Sequence, residues 1–190
     1  MASLPSKDGT QVSCLLLLPV ELRDTIYIYT LGGNVFEIDS DGRPTITERY
    51  SLNLLLTSRQ IYSEARLHVY RHNTFAFLQT ARWLIFLDSR TQEQVEAIQS
   101  LQLLAYTATR MRSSQYRFEH LDLRCLERLK GLKRVVTVDY TPRRGDMRRE
   151  DWEQRARDLA EGIWSWKRAV EVGARYEWGE WEMELGTGRE

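Results

Sequence analysis

NTFAFLQTARWLIFLDSRTQEQVEAIQSLQLL, residues 73–104, sets two stretches of strand character around one of helical character. Thr74–Leu78 is short, aromatic and β-prone. Thr80–Ala97 carries apolar residues at helical spacing, with a break expected near Asp88-Ser89, and Ile98–Leu104 places Ile98, Leu101 and Leu103 as a buried strand would. A strand, a helical return and a second strand predict parallel pairing through a right-handed crossover, hence an α/β layer.

The same alternation continues toward the C-terminus. A polar stretch over Ala105–Gln115 leads to a helix expected over Phe118–Leu129, stopped by Gly131. Lys133–Tyr140, with Val135, Val136 and Val138, has the strongest strand character in the chain. Thr141-Pro142-Arg143-Arg144-Gly145-Asp146 reads as a linker. Beyond it Trp152, Ala156, Leu159, Ile163, Trp166 and Val170 recur at steps of four and three, predicting a long amphipathic helix. The tail Tyr176, Trp178, Trp181, Met183, Leu185 alternates in two phases about Gly179, as one bulged strand would. The helix-strand units number about three, too few to establish a solenoid.

Toward the N-terminus the pattern is helical. Residues 1–14 are polar at first and expected to be flexible. A first helix opens at Pro19 and stops at Gly32-Gly33. At roughly 100° per residue, Leu22, Ile26 and Tyr29 share one side while Val20, Tyr27, Ile28 and Leu31 lie roughly opposite. A helix at the edge of a domain needs one apolar face, so the second belongs either to its own core or to a partner. Val35–Ile38 and Arg43–Thr47 flank Asp39-Ser40-Asp41-Gly42, predicting a hairpin. The same residues mimic a calcium loop, which Glu37 in the first ligand position and Pro44 argue against. Ser51–Leu56 reads as a helical turn; Thr57 and Gln60 match a capping box opening a second helix that runs to His72, with Ile61, Ala65, Val69 and neighbouring Tyr62 inward and Asn73 as a left-handed stop.

The totals exclude several classes. With 190 residues, 42% hydrophobic and 28% charged, the chain is neither disordered nor membrane-like in composition, and it is large enough for a substantial core. Lys+Arg and Asp+Glu are both 27, which disfavours nucleic-acid coating as the main role. A gradient sits within that balance: from Arg110 to Arg175 there are 17 basic residues against 11 acidic, so weak nucleic-acid binding through the Arg-rich 110–175 segment is kept as an alternative. Two cysteines, Cys14 and Cys125, and no secretory or membrane signature predict an intracellular protein, cytoplasmic or nuclear.

Phosphate-binding, dinucleotide-binding, zinc-cluster and hydrolase motifs are missing together, so neither enzyme nor cofactor is expected. Glu64, His68 and His72 at i, i+4, i+8 supply half a metal site; without further ligands they read as the exposed outer side of the second helix, and no metal is expected. Tyr106, Arg110, Arg112, Tyr116 and Arg117 cluster where the middle strand ends, a composition that suits a recognition loop.

Leu18-Pro19-Val20-Glu21-Leu22-Arg23, Ile26-Tyr27, then Leu54-Leu55-Leu56-Thr57-Ser58-Arg59-Gln60-Ile61-Tyr62-Ser63-Glu64-Ala65, Tyr70 and Asn73-Thr74-Phe75 together resemble the ascomycete fungal family of F-box-like domains of unknown function. The resemblance covers residues 15–78 most closely. It implies an F-box-like helical module, here with an inserted hairpin, over 15–78 followed by an irregular helix-strand region; together with the residue pattern, the expected fold is α+β or irregular α/β, with a small mostly parallel sheet in the helix-strand region over 79–141 and a C-terminal helix and tail over 146–190 packing on the same domain. Residues 32–50 are inserted relative to an F-box, and Tyr62 stands where many F-boxes carry tryptophan. The resemblance further implies a non-enzymatic protein-interaction module, with Leu18, Pro19, Leu22 and Ile26 meeting an SKP-family adaptor of a cullin-RING ubiquitin ligase. A self-contained structural or homo-oligomeric protein is the alternative.

Overall fold

The computed structural model describes residues 13–39, 41–45, 49–77, 80–106, 123–140, 148–166, 169–176 and 182–188. Most of the expected flexible N-terminus, the polar stretch past 106, the start of the helix expected from Phe118, the linker at Thr141–Asp146 and the tail tryptophans Trp178 and Trp181 lie outside the described residues.

Seven strands form one sheet: β1 (Val35–Ile38), β2 (Pro44–Thr45), β3 (Thr74–Phe77), β4 (Ser100–Tyr106), β5 (Arg134–Tyr140), β6 (Glu171–Tyr176) and β7 (Glu182–Gly186), in the order β2-β1-β3-β4-β5-β6-β7. The five from β1 to β6 run parallel, and β2 and β7 close the two edges antiparallel. The architecture is therefore mixed α/β with a mostly parallel sheet, as the 73–104 segment predicts. Each new parallel strand is added on the same side of its predecessor, and right-handed crossovers under that rule keep the connections on one face.

Register and burial identify that face. Phe36, Phe75, Leu101, Val135 and Val172 form one row across the five parallel strands, and Ile38, Phe77, Leu103, Thr137 and Ala174 form the next. All ten are buried. The alternate row, Glu37, Ala76, Gln102, Val136 and Gly173, is more mixed: Glu37 is exposed, Gln102 and Val136 are half-buried, and Ala76 and Gly173 are buried. Full burial of each large apolar side chain contributes about 1.5–3 kcal/mol, so the two rows dominate the stability of the sheet.

The helices supply the other half of the core. They are α1 (Val20–Leu31), α2 (Arg59–Ala65), α3 (His68–Arg71), α4 (Thr80–Asp88), α5 (Gln92–Ala97) and α6 (Arg149–Trp166). Helix α6 buries Trp152, Ala156, Leu159, Ala160 and Ile163. The break expected near Asp88-Ser89 is present, and Thr91 restarts the chain with a reciprocal capping box to Gln94. The hairpin is present too: the Asp39 carboxylate accepts from Asp41 N and Arg43 N, and Gly42 adopts φ 72° with Ile85 so close that a Cβ would collide. It is not an insertion in a helical module, however. β1 pairs with β3 and so begins the main sheet.

Other local expectations are corrected. The second helix does not reach His72 unbroken; it turns at Arg66-Leu67 and resumes as α3. Ile61, Ala65 and Val69 are buried as expected, but Tyr62 is 47% exposed. Ser58, not Thr57, caps α2, because the Ser58 hydroxyl accepts from Gln60 N while Thr57 Oγ1 turns back to Leu54 O. Asn73 is not left-handed. It is a buried bracket whose Nδ2 donates to Leu31 O at 2.7 Å and Val69 O at 2.8 Å, while its Oδ1 accepts from Asn34 N at 2.8 Å. That set joins the ends of α1 and α3 to the start of β1. β6 and β7 pair antiparallel with a register irregularity at Val172/Gly173, and Gly179, about which the bulge of the tail is expected, lies outside the described residues. The last apolar position assigned to the long helix, Val170, is buried just before β6.

Candidate interaction site on the first helix

The chain enters this region through a single 3-10 turn, Cys14–Leu17, followed by extended Leu18 and Pro19. Proline immediately before Val20 cannot continue the preceding turn and presets the backbone for the helix. Glu21 in the first turn of α1 complements the positive helix end.

Arg23 then fixes the segment from both sides. Its Nη1 donates to Leu18 O at 2.6 Å, while Nε and Nη2 donate to the two oxygens of Glu64 on α2, each at 2.8 Å. Tyr27 OH and Gln60 Nε2 each donate to the same carboxylate at 3.0 Å. Four donors on one carboxylate make a fork-to-fork pair with two supports. The Arg23 bonds, with Gln60 and Tyr27 adding to them, hold the Glu64 carboxyl down to about 2. The Arg23 guanidinium is in turn pushed up by Glu64, and burial raises the Tyr27 phenol. The charged residues inside the two sequence blocks thus do internal work: they lock α1 on α2.

With that lock closed, Tyr27 and Leu31 are fully buried. The opposite side stays open. Leu22 is 52% exposed and Tyr29 84%, with Ile26 half-buried between them. Leu17 and Pro19 are exposed and Leu18 is half-buried. Of the four residues matched to adaptor contacts, Pro19 and Leu22 are therefore open and Leu18 and Ile26 partly so. Tyr29 belongs with them on position and is the most exposed of the stripe. Val20 and Ile28, placed by periodicity with the inner residues, are exposed instead, because the lock rotates the Tyr27–Leu31 line alone into the core.

The other sequence candidates fare differently. Tyr106 ends β4, while Arg110, Arg112, Tyr116 and Arg117 lie outside the described residues. Glu64, His68 and His72 are not an exposed outer row. Glu64 is engaged by Arg23, and His68 is buried with its Nε2 3.7 Å from Asp24 and its ring stacked on His72 at 5.3 Å. Burial pushes both imidazoles below their ordinary value, so they are neutral near pH 7. No metal-binding group of acids, histidines and cysteines occurs among the described residues. Asp39, from the calcium-loop mimic, instead spends an oxygen on the backbone of its own turn.

A family model for a domain of unknown function, DUF7730, matches residues 37–185, from within β1 into β7. The chain belongs to the DUF7730 family. No curated protein and no solved structure matches it. The DUF7730 stretch contains Glu64, so the acceptor of the lock lies inside the matched region while its donors on α1, Arg23 and Tyr27, precede it. No described helix is long and apolar enough to cross a membrane.

Proposed function

We propose that this DUF7730 chain is a non-enzymatic, F-box-like interaction module that presents the outer stripe of α1 to a protein partner, an SKP-family adaptor of a cullin-RING ubiquitin ligase. The observation that carries the reading is the division of α1 between a sealed line, Tyr27 and Leu31, and an open apolar line, Leu22, Ile26 and Tyr29 at i, i+4, i+7. An amphipathic helix that docks in a groove uses anchors at that spacing. The Arg23–Glu64 lock supports it, since a helix already held in place loses little further freedom on binding. The sheet region would then choose what is brought to the ligase.

Nucleic-acid binding through residues 110–175 has less support. Arg128, Lys130, Arg134, Arg149, Arg157 and Arg175 are all engaged with carboxylates.

The test uses purified adaptor and the full chain with Leu22→Ala/Tyr29→Ala. Both positions are exposed, so the variant should keep its melting temperature while losing at least tenfold in adaptor affinity by calorimetry. Adaptor bound equally by both proteins, or by neither, would remove the proposal. A wild-type dimer that the double variant dissociates would assign the stripe to a second copy of the chain.

A further inference from the structure

A cleft of about 190 Å³ opens between the β1–β2 hairpin, the 3-10 segment Arg49–Leu56, α2–α3 and the turn joining α4 to α5. Its wall is aromatic: Tyr70 stacks on Phe75 at 5.8 Å, Phe75 meets Phe86 at 5.3 Å, and Tyr62 stands on the open side. Two guanidinium groups line it as well. Arg66 donates to Glu93 at 2.7 Å and is thereby neutralised. Arg90 lies over the Phe86 ring at 5.0 Å from the centroid and interacts with the Tyr70 phenol, its Nε is buried without a hydrogen-bond partner, and among the described residues no carboxylate pairs with it.

A buried guanidinium N–H left without a partner is costly, and guanidinium is all donor, so only an acceptor relieves it. A carboxylate supplies both the acceptors and the charge. The space beside it suits one aromatic ring, well below the roughly 300–1,000 Å³ of sites for larger ligands.

From the aromatic wall and an Arg90 without a carboxylate partner we infer that this cleft binds a small aromatic carboxylic acid, ring against the accessible Tyr62 and Tyr70 and carboxylate on Arg90. The site is independent of the α1 stripe and of any adaptor.

The full chain is titrated with 3-phenylpropionate and, as a neutral analogue of the same skeleton, 3-phenylpropan-1-ol, by calorimetry and ligand-observed NMR. The acid should bind at least tenfold more tightly than the alcohol. Arg90→Gln should bring the two within about twofold of each other, and Tyr62→Ala, at a half-open position, should weaken both. Intermolecular NOEs from the ligand ring should reach the Tyr62 and Tyr70 rings in the wild-type protein, a readout that does not depend on how Arg90→Gln folds. Equal binding of acid and alcohol to wild type, a preference that survives Arg90→Gln, or NOEs only to other residues would each overturn the assignment.

Discussion

Two polar side chains far apart in sequence from their partners hold the N-terminal third together. Asn73 is 2% exposed and satisfies the terminal carbonyls of α1 and α3 while accepting from the residue that leads into β1. Asn73→Ala should cost about 3 kcal/mol in urea unfolding, because the carbonyls at Leu31 and Val69 lose their donor in a place water reaches poorly. Asn73→Asp should be no milder, since it points a carboxylate at two carbonyls; a neutral result for either variant would contradict the bracket. Glu64 makes a second, pH-dependent case. Its carboxyl is held down to about 2, below an ordinary value near 4.5, so its contribution is fully present above pH 4.5 and is lost as pH falls toward 2. Glu64→Gln should cost about 2 kcal/mol at pH 7. The gap between variant and wild type should close as the pH approaches 2, and a gap that stays constant with pH would show that the charge of Glu64 is irrelevant.

For α1 as an element, the sequence places apolar residues on both sides, and that pattern cannot say which side faces home. The choice is made by Arg23 and Tyr27 meeting Glu64, residues separated by 41 and 37 positions, and no local periodicity reports a contact of that range. Capping shows a similar limit. Thr57-x-x-Gln60 and Thr91-x-x-Gln94 have the same spelling, yet only the second forms a reciprocal box, because the 3-10 segment ending at Leu56 makes Thr57 turn backward. Thr91→Ala should therefore lower stability by about 1 kcal/mol, whereas Thr57→Ala should leave the α2 cap in place. Chemical denaturation of the two variants side by side measures the difference, and a larger loss at Thr57 would reverse the assignment. Strand β6 left little trace, since Glu171–Tyr176 contains Gly173 and Ala174 and a strand flanked on both sides needs no clean alternation. β3 and β5 were readable from their aromatic and β-branched content, and β4 from the spacing of Leu101 and Leu103.

At the scale of the whole molecule, the order of strands follows the order of the chain from β3 to β7, so every crossover adds to one growing edge. That arrangement gives the middle of the sheet two paired neighbours and the edges one. β2 is two residues long with Pro44 in it, and β7 carries exposed Glu182 and Glu184, both common ways of keeping an edge from recruiting further strands. Local opening should consequently begin at the edges and reach β4 and β5 last, because freeing Leu101, Leu103 and Val135 exposes both fully paired strands and the core rows beneath the helices. Native-state hydrogen exchange should find the slowest amides in β4 and β5, exchanging only through global unfolding, and those of β2 and β7 faster by orders of magnitude. The His68–His72 pair adds a condition to that measurement. Burial lowers both imidazoles, so below their ordinary value of 6.5 the unfolded chain takes up protons that the folded one resists, and global stability declines. Exchange of the β4 and β5 amides, corrected for intrinsic rate, should therefore report less protection at pH 5.5 than at pH 7.5. Equal protection at both pH values, or edge amides as slow as central ones, would mean that the sheet does not open from its edges inward over a pH-sensitive N-terminal layer.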